Sequence, residues 1–191
     1  MTWQRCEDVS PADWLAHDGN PELIHFGPST FEAYARLRYI PDPEHPRQSE
    51  TDVDIDGDHP LDTEQAHRAL DRLARFTDTP DDCYFCVWDG WPGIEELSRN
   101  QGPWVVTPIR RFVLVRGPLS DLSSADGLLG RDGFPPAFAW PADRSWCFTS
   151  DVDPHWAGIG GSRAAIAALL RADDLDVVAA QPGEPQPYYR G

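Results

Sequence analysis

The chain has 191 residues, 40% of them hydrophobic and 11% aromatic with eight Trp, enough for one compact domain with its own core and too much for wholesale disorder. Its 16 basic residues face 32 acidic ones, and the resulting charge of −16 repels nucleic-acid phosphates and anionic lipid while favouring cationic partners. Every basic residue is Arg, so neither a Walker-type phosphate loop nor Schiff-base chemistry is available.

The N-terminal stretch MTWQRCEDVS lacks the apolar core of a secretory signal, and no run of about 18 apolar residues follows. A cytoplasmic protein is expected, with Cys6, Cys83, Cys86 and Cys147 as reduced thiols acting as small hydrophobes. Ser29 and Glu32 have capping-box spacing ahead of FEAYARLRY, which predicts a helix near 30–39 stopped by Pro41. Residues 41–64 then carry nine acidic residues against one Arg, a net −8, interrupted by Pro41, Pro43, Pro46 and Pro60. This reads as a loop.

From Asp62 onward Ala66, Ala69, Leu70, Leu73 and Phe76 recur at helical steps while Arg68, Arg72 and Arg75 share another side, an amphipathic helix ending before Pro80. CYFCVW (83–88) is an unbroken apolar run between Asp-Asp and Asp-Gly, a buried strand followed by a turn. IEELSRN adds a helical turn, 104–117 is a strand-rich block, and 120–136 is a Gly-, Ser- and Asp-rich connection. A strand over 145–153, a helix over 162–173 and a strand over 175–180 close the chain in a βαβ-like order. Together these elements predict an α+β fold. It is a single layered domain over 1–191, a mixed or antiparallel sheet packed against two or three helices, with a mobile acidic loop at about 41–62 and an irregular C-terminal tail at about 182–191.

Four stretches carry candidate chemistry. In TDVDIDGDHP (51–60), Asp52, Asp54, Asp56 and Gly57 match the first half of an EF-hand calcium loop, but Thr63 stands where the bidentate Glu is needed and Pro60 interrupts the second half. A solvated acidic loop is expected, holding at most an adventitious divalent cation, and no cofactor is predicted. The CxxC of Cys83 and Cys86 encloses Tyr and Phe in a strand-like run, which sends the two thiols to opposite faces and argues for core packing. Asp151, Asp153 and His155 alternate and would share one face of extended chain, as metal ligands or an acid/base pair; the plainer reading is a turn in which Asp153 caps the backbone before Pro154. In GIGGSR (158–163), Gly160, Gly161, Ser162 and Arg163 form a glycine-rich loop ahead of a helix whose N–H groups could hold a phosphate or carboxylate, with Arg144 pairing to the ligand and Trp146 beside it. An ordinary turn with Ser162 as N-cap is the competing reading.

The blocks PDDCYFCVWDGW (80–91), RFVLVRGPL (111–119), WPADRSWCF (140–148) and GGSRA (160–164), in this order, resemble a family of acidic, Trp-rich bacterial proteins from high-GC genomes. FEAYARL (31–37) is a weaker match, and the 41–64 segment is more acidic than the resemblance leads one to expect. That family has no assigned activity, so the resemblance implies no catalytic residue. No GxSxG elbow, HExxH motif or Cys with an evident base occurs either. The leading expectation is a non-catalytic binding or interaction protein, regulatory or toxin-neutralising, whose acidic loop steers a basic protein partner. The alternative is a small-ligand enzyme or sensor that holds an anion at GIGGSR, with Asp151, Asp153 or His155 as acid, base or metal ligand. Mimicry of nucleic acid by the carboxylate rows is a third, weaker reading.

Overall fold

The computed structural model describes residues 3–16, 23–55, 57–98, 102–108, 110–122, 129 and 133–190. Among them the strands are β1 (Gln4–Arg5), β2 (Ala33–Arg38), β3 (Cys83–Trp88), β4 (Val105–Val106), β5 (Arg111–Gly117), β6 (Phe138–Pro141), β7 (Trp146–Thr149), β8 (Trp156–Gly161) and β9 (Val177–Ala180). The helices are α1 (Asp13–Ala16), α2 (Leu23–Phe26), α3 (Asp62–Leu73), α4 (Glu95–Ser98) and α5 (Arg163–Leu169). One sheet runs β1-β5-β3-β6-β7-β8-β2-β9, with β4 also on β5, and every pairing is antiparallel. This is the α+β layered domain expected, with the sheet antiparallel rather than mixed.

Register decides what each face buries, because directly paired residues project to the same side. The row Phe85–Ala139–Phe148–Ile159–Ala35 lies on one side. There α5 packs: a Cβ at Gly161 would touch both Trp146 Cβ and Ala165 Cβ, and α3 packs against α5. α3 buries Ala66, Ala69, Leu70 and Leu73 and leaves Arg68 exposed, as its periodicity predicts. The opposite side carries Tyr84, Trp140, Cys147, Gly160 and Tyr34 in one row and Phe138, Thr149, Gly158 and Arg36 in the next. The short helix α2 lies directly on this side, because a Cβ at Gly158 would collide with the His25 carbonyl oxygen. Trp140, Trp146 and Trp156 are each at most 1% exposed; burying about 200 Å² per indole is worth roughly 5 kcal/mol before entropy is charged.

The predicted helix at 30–39 is instead strand β2. Glu, Ala, Arg and Leu are good helix formers, but β8 and β9 flank this segment and satisfy its backbone on both sides, which outweighs a propensity of a few tenths of a kcal/mol per residue. The capping box gives way too: the Glu32 carboxylate accepts the amide of Arg163 at 3.1 Å. GIGG, read as a loop, forms the end of β8, and β1 and β6 were not foreseen. The chain order β8–α5–β9 is βαβ-like, with β2 lying between the two parallel strands.

Candidate functional site

Arg36 stands at the middle of β2 on the α2 side of the sheet and is only 6% exposed. A buried guanidinium demands a partner, and the chain supplies one just after the strand ends. Pro41 turns it back, and Asp42 meets Arg36 in a two-point pair, Nη1 to Oδ1 at 2.7 Å and Nη2 to Oδ2 at 3.0 Å. Arg38 Nη1 donates to Asp42 Oδ2 at 3.2 Å and its Nη2 to Asp176 Oδ1 at 2.6 Å, tying β9's approach to the same carboxylate. His155, immediately before β8, places Nε2 at 3.0 Å from Asp42 Oδ1, and the Trp156 ring lies 5.4 Å from the Arg36 guanidinium carbon.

Partial burial would raise the Asp42 pKa, but hydrogen bonds from Arg36 and His155, with the Arg36 charge, bring it down to about 2. Burial lowers His155 against the pull of Asp42, so the imidazole is neutral near pH 7. Arg36 Nε and His155 Nδ1 are buried and find no hydrogen-bond partner among the described residues. No hydroxyl or thiol among the described residues hydrogen-bonds His155. The cluster ties the start of the acidic segment to β2, to β8 and to the approach of β9.

That segment is fastened at both ends near Tyr39. His59 Nε2 lies 2.6 Å from the Tyr39 carbonyl oxygen, and the Gln65 amide donates to the same oxygen at 3.0 Å and to Pro60 O at 3.1 Å. Between the fastenings the Glu44 amide donates to Gln48 Oε1 at 2.7 Å, and the Ser49 amide donates to Asp52 Oδ2 at 3.1 Å at the head of a 3-10 turn. Glu44, Glu50, Asp52, Asp54 and Asp58 are exposed, and none of them forms an ion pair with any described residue. Elsewhere four aspartates are matched to arginines, Asp82 to Arg116, Asp89 to Arg111, Asp174 to Arg72 and Asp176 to Arg38, while others such as Asp8 and Asp143 are held by hydroxyls and backbone amides.

The sequence candidates are distributed over this frame rather than gathered. Asp52 and Asp54 face solvent, and Asp56 lies outside the described residues. Asp151 and Asp153 converge on Arg110, at 2.8 and 3.2 Å, and Arg110 stacks 4.6 Å from the Trp88 ring; His155 turns the other way, to Asp42. Among the described residues no group of three metal-capable side chains occurs. Gly160 and Gly161 lie in β8, Ser162 accepts the Ala165 amide at 3.2 Å, and the Arg163 amide is taken by Glu32. The first turn of α5 thus already holds a carboxylate of the chain itself. Arg144, at φ 55°, sits 5.2 Å from the Trp14 ring and donates to Pro11 O at 3.4 Å, whereas Trp146 is fully buried beside α5.

An open cleft of about 680 Å³ lies near β1, between Arg5, Cys6, Asp8, Tyr84 and Arg116. Its cations are engaged: Arg5 donates to Leu97 O at 2.5 Å and Gly102 O at 2.9 Å, and Arg116 forks onto Asp82 at 2.5 and 2.6 Å. Burial pushes the Cys6 thiol up, against thiolate chemistry. Sequence reasoning missed Arg36, Arg38 and Asp42. Their only signal was a charged residue at alternate positions of an otherwise apolar run, legible once 33–38 is known to be a strand. Comparison with family models, with curated proteins and with solved structures finds no match to this chain, so the site is read from its own geometry.

Proposed function

We propose that the protein is a non-catalytic interaction protein, of the regulatory or toxin-neutralising kind, that captures a cationic protein partner on the 41–62 ledge. The observation that supports this reading is the concentration of exposed carboxylates in one short segment. Arg38, Arg72, Arg111 and Arg116 are each matched to an aspartate, while five exposed carboxylates of one tethered segment form no ion pair with any described residue. Unmatched carboxylates on a scaffold fixed at its root attract Lys- and Arg-rich surfaces over a Debye length and lose little entropy on binding. No helix among the described residues is long and apolar enough to cross a membrane. We place the encounter in the cytoplasm, which suits four free cysteines of which three are buried.

The test uses a fluorescently labelled nona-arginine peptide as cationic probe. Anisotropy should show binding that weakens as salt rises, and a chain carrying Glu50→Gln, Asp52→Asn, Asp54→Asn and Asp58→Asn should bind about tenfold more weakly. Equal affinity of the two chains rejects the reading.

A further inference from the structure

The last residues of the chain return across the Asp42 cluster. After β9 the backbone reverses at Gly183, whose φ of +88° favours glycine. The Gln186 side-chain amide closes this reversal on itself by donating to Gln181 O at 3.2 Å and Glu184 O at 2.9 Å. Residues 187–190 then run over the sheet face. Pro187 O accepts the indole N–H of Trp156 at 3.2 Å, and the Tyr188 ring sits 5.9 Å from Trp156 and 6.1 Å from His25. The Tyr189 ring stands edge-on to His155 at 4.7 Å, and its hydroxyl donates to Pro41 O at 2.6 Å. The Arg190 amide donates to Gln48 O at 3.0 Å.

Two features distinguish this segment from an ordinary tail. It touches three parts of the molecule that are far apart in sequence: the start of β8, helix α2 and the 41–48 limb of the acidic segment. Yet no residue of 181–190 is buried, while the surfaces it covers are closed off, Trp156 to 1% and His155 to 5%. The contacts that hold it among the described residues are single hydrogen bonds and ring edges, and a segment held in this way opens locally at low cost. Prolines at 182, 185 and 187 keep it extended and limit the entropy gained on release.

We propose that residues 187–190 form a releasable strap that covers the Trp156–His155 surface and, by holding Pro41 and Gln48, fixes the position of the 41–48 limb of the acidic ledge. Closed, the strap presents the ledge as a preformed surface. Open, it frees the limb between Pro41 and Gln48 and uncovers an indole and an imidazole. The strap stands on these contacts alone, and only its bearing on partner capture rests on the function proposed above.

Hydrogen exchange by NMR tests it on the full chain, on a chain ending at Gln186 and on Tyr189→Phe, which removes only the hydroxyl bound to Pro41 O. Truncation should accelerate exchange of the Glu44 and Gln48 amides by about tenfold or more and speed that of the Trp156 indole N–H, while β3 and β5 amides keep their rates. Tyr189→Phe should move the 41–48 amides in the same direction by a smaller factor. Unchanged Glu44 and Gln48 rates in both chains overturn the proposal. So does acceleration spread over the whole sheet in the truncated chain with no change in Tyr189→Phe. If the truncated chain does not fold, Tyr189→Phe decides alone. Nona-arginine affinity is read separately: a full chain that ignores the probe defeats the function proposed above and leaves the exchange result standing.

Discussion

Asp42 concentrates more of the chemistry than any other single residue, and its removal should be felt accordingly. Asp42→Asn leaves the Arg36 guanidinium at 7% side-chain exposure facing a neutral amide, and a cost of about 3 kcal/mol in denaturant unfolding is expected. Arg111→Ala breaks the pair with Asp89 at an Arg 58% exposed, and should cost less than about 1 kcal/mol. Equal costs for the two would contradict the anchoring role. His155 makes a pH prediction. It is faced by Asp42 from the acidic segment, Arg36 from β2, Glu50 from the 3-10 turn and Tyr189 from the tail, and burial lowers its pKa in the fold. A lowered folded-state pKa means that protonation favours the unfolded chain. Its contribution is therefore complete above the ordinary histidine value near 6.5 and declines as pH falls below it. His67, buried in α3, shifts with the same sign. His155→Asn should thus flatten part of the acid limb of a stability–pH curve, leaving the His67 part; a curve of unchanged slope would refute the assignment.

At the level of elements, the contact between α2 and the sheet turns on one glycine. Gly158 lies under the His25 carbonyl and the Phe26 ring, so Gly158→Ala must push α2 outward or bend β8, at about 1–3 kcal/mol. A near-neutral Gly158→Ala, read by thermal unfolding, would mean that α2 does not pack as described. The elements also show where sequence reading succeeds. α3 and β3 were legible because each satisfies a local rule: α3 keeps one polar side, and β3 is a short apolar run bounded by turn residues. β2 was not, since AYARLR has the composition of a helix and becomes a strand only between two others. GIGG failed for the complementary reason. Glycines that suggest a flexible loop are here the condition for α2 and Phe31 to lie close over a strand.

For the whole molecule the governing quantity is the net charge of −16. Self-repulsion on this scale destabilises the compact state at low ionic strength, so the thermal midpoint should rise from low to moderate sodium chloride. Because Glu50, Asp52, Asp54 and Asp58 form no ion pair with any described residue and are close in sequence, neutralising them should shrink that salt dependence measurably. An identical dependence in both chains would show that the repulsion lies elsewhere. The same experiment separates ledge from scaffold, since loss of probe binding without loss of stability is expected of surface carboxylates alone.

The sequence by itself determined the α+β class, the amphipathic α3, the buried β3 strand and the concentration of charge in 41–64, because each rests on composition or on a period repeated within a few residues. It also singled out His155, Asp151 and Asp153, with a shared face as one reading and a turn capped by Asp153 as the plainer one. Only the tertiary structure decided that Arg110 takes the two aspartates while His155 joins Asp42 and Arg36 beneath the C-terminal residues. Those partners lie up to 113 positions apart, and no local pattern encodes them. They meet because antiparallel register places β2 beside β8, and a charge buried there must be matched wherever the chain can return one.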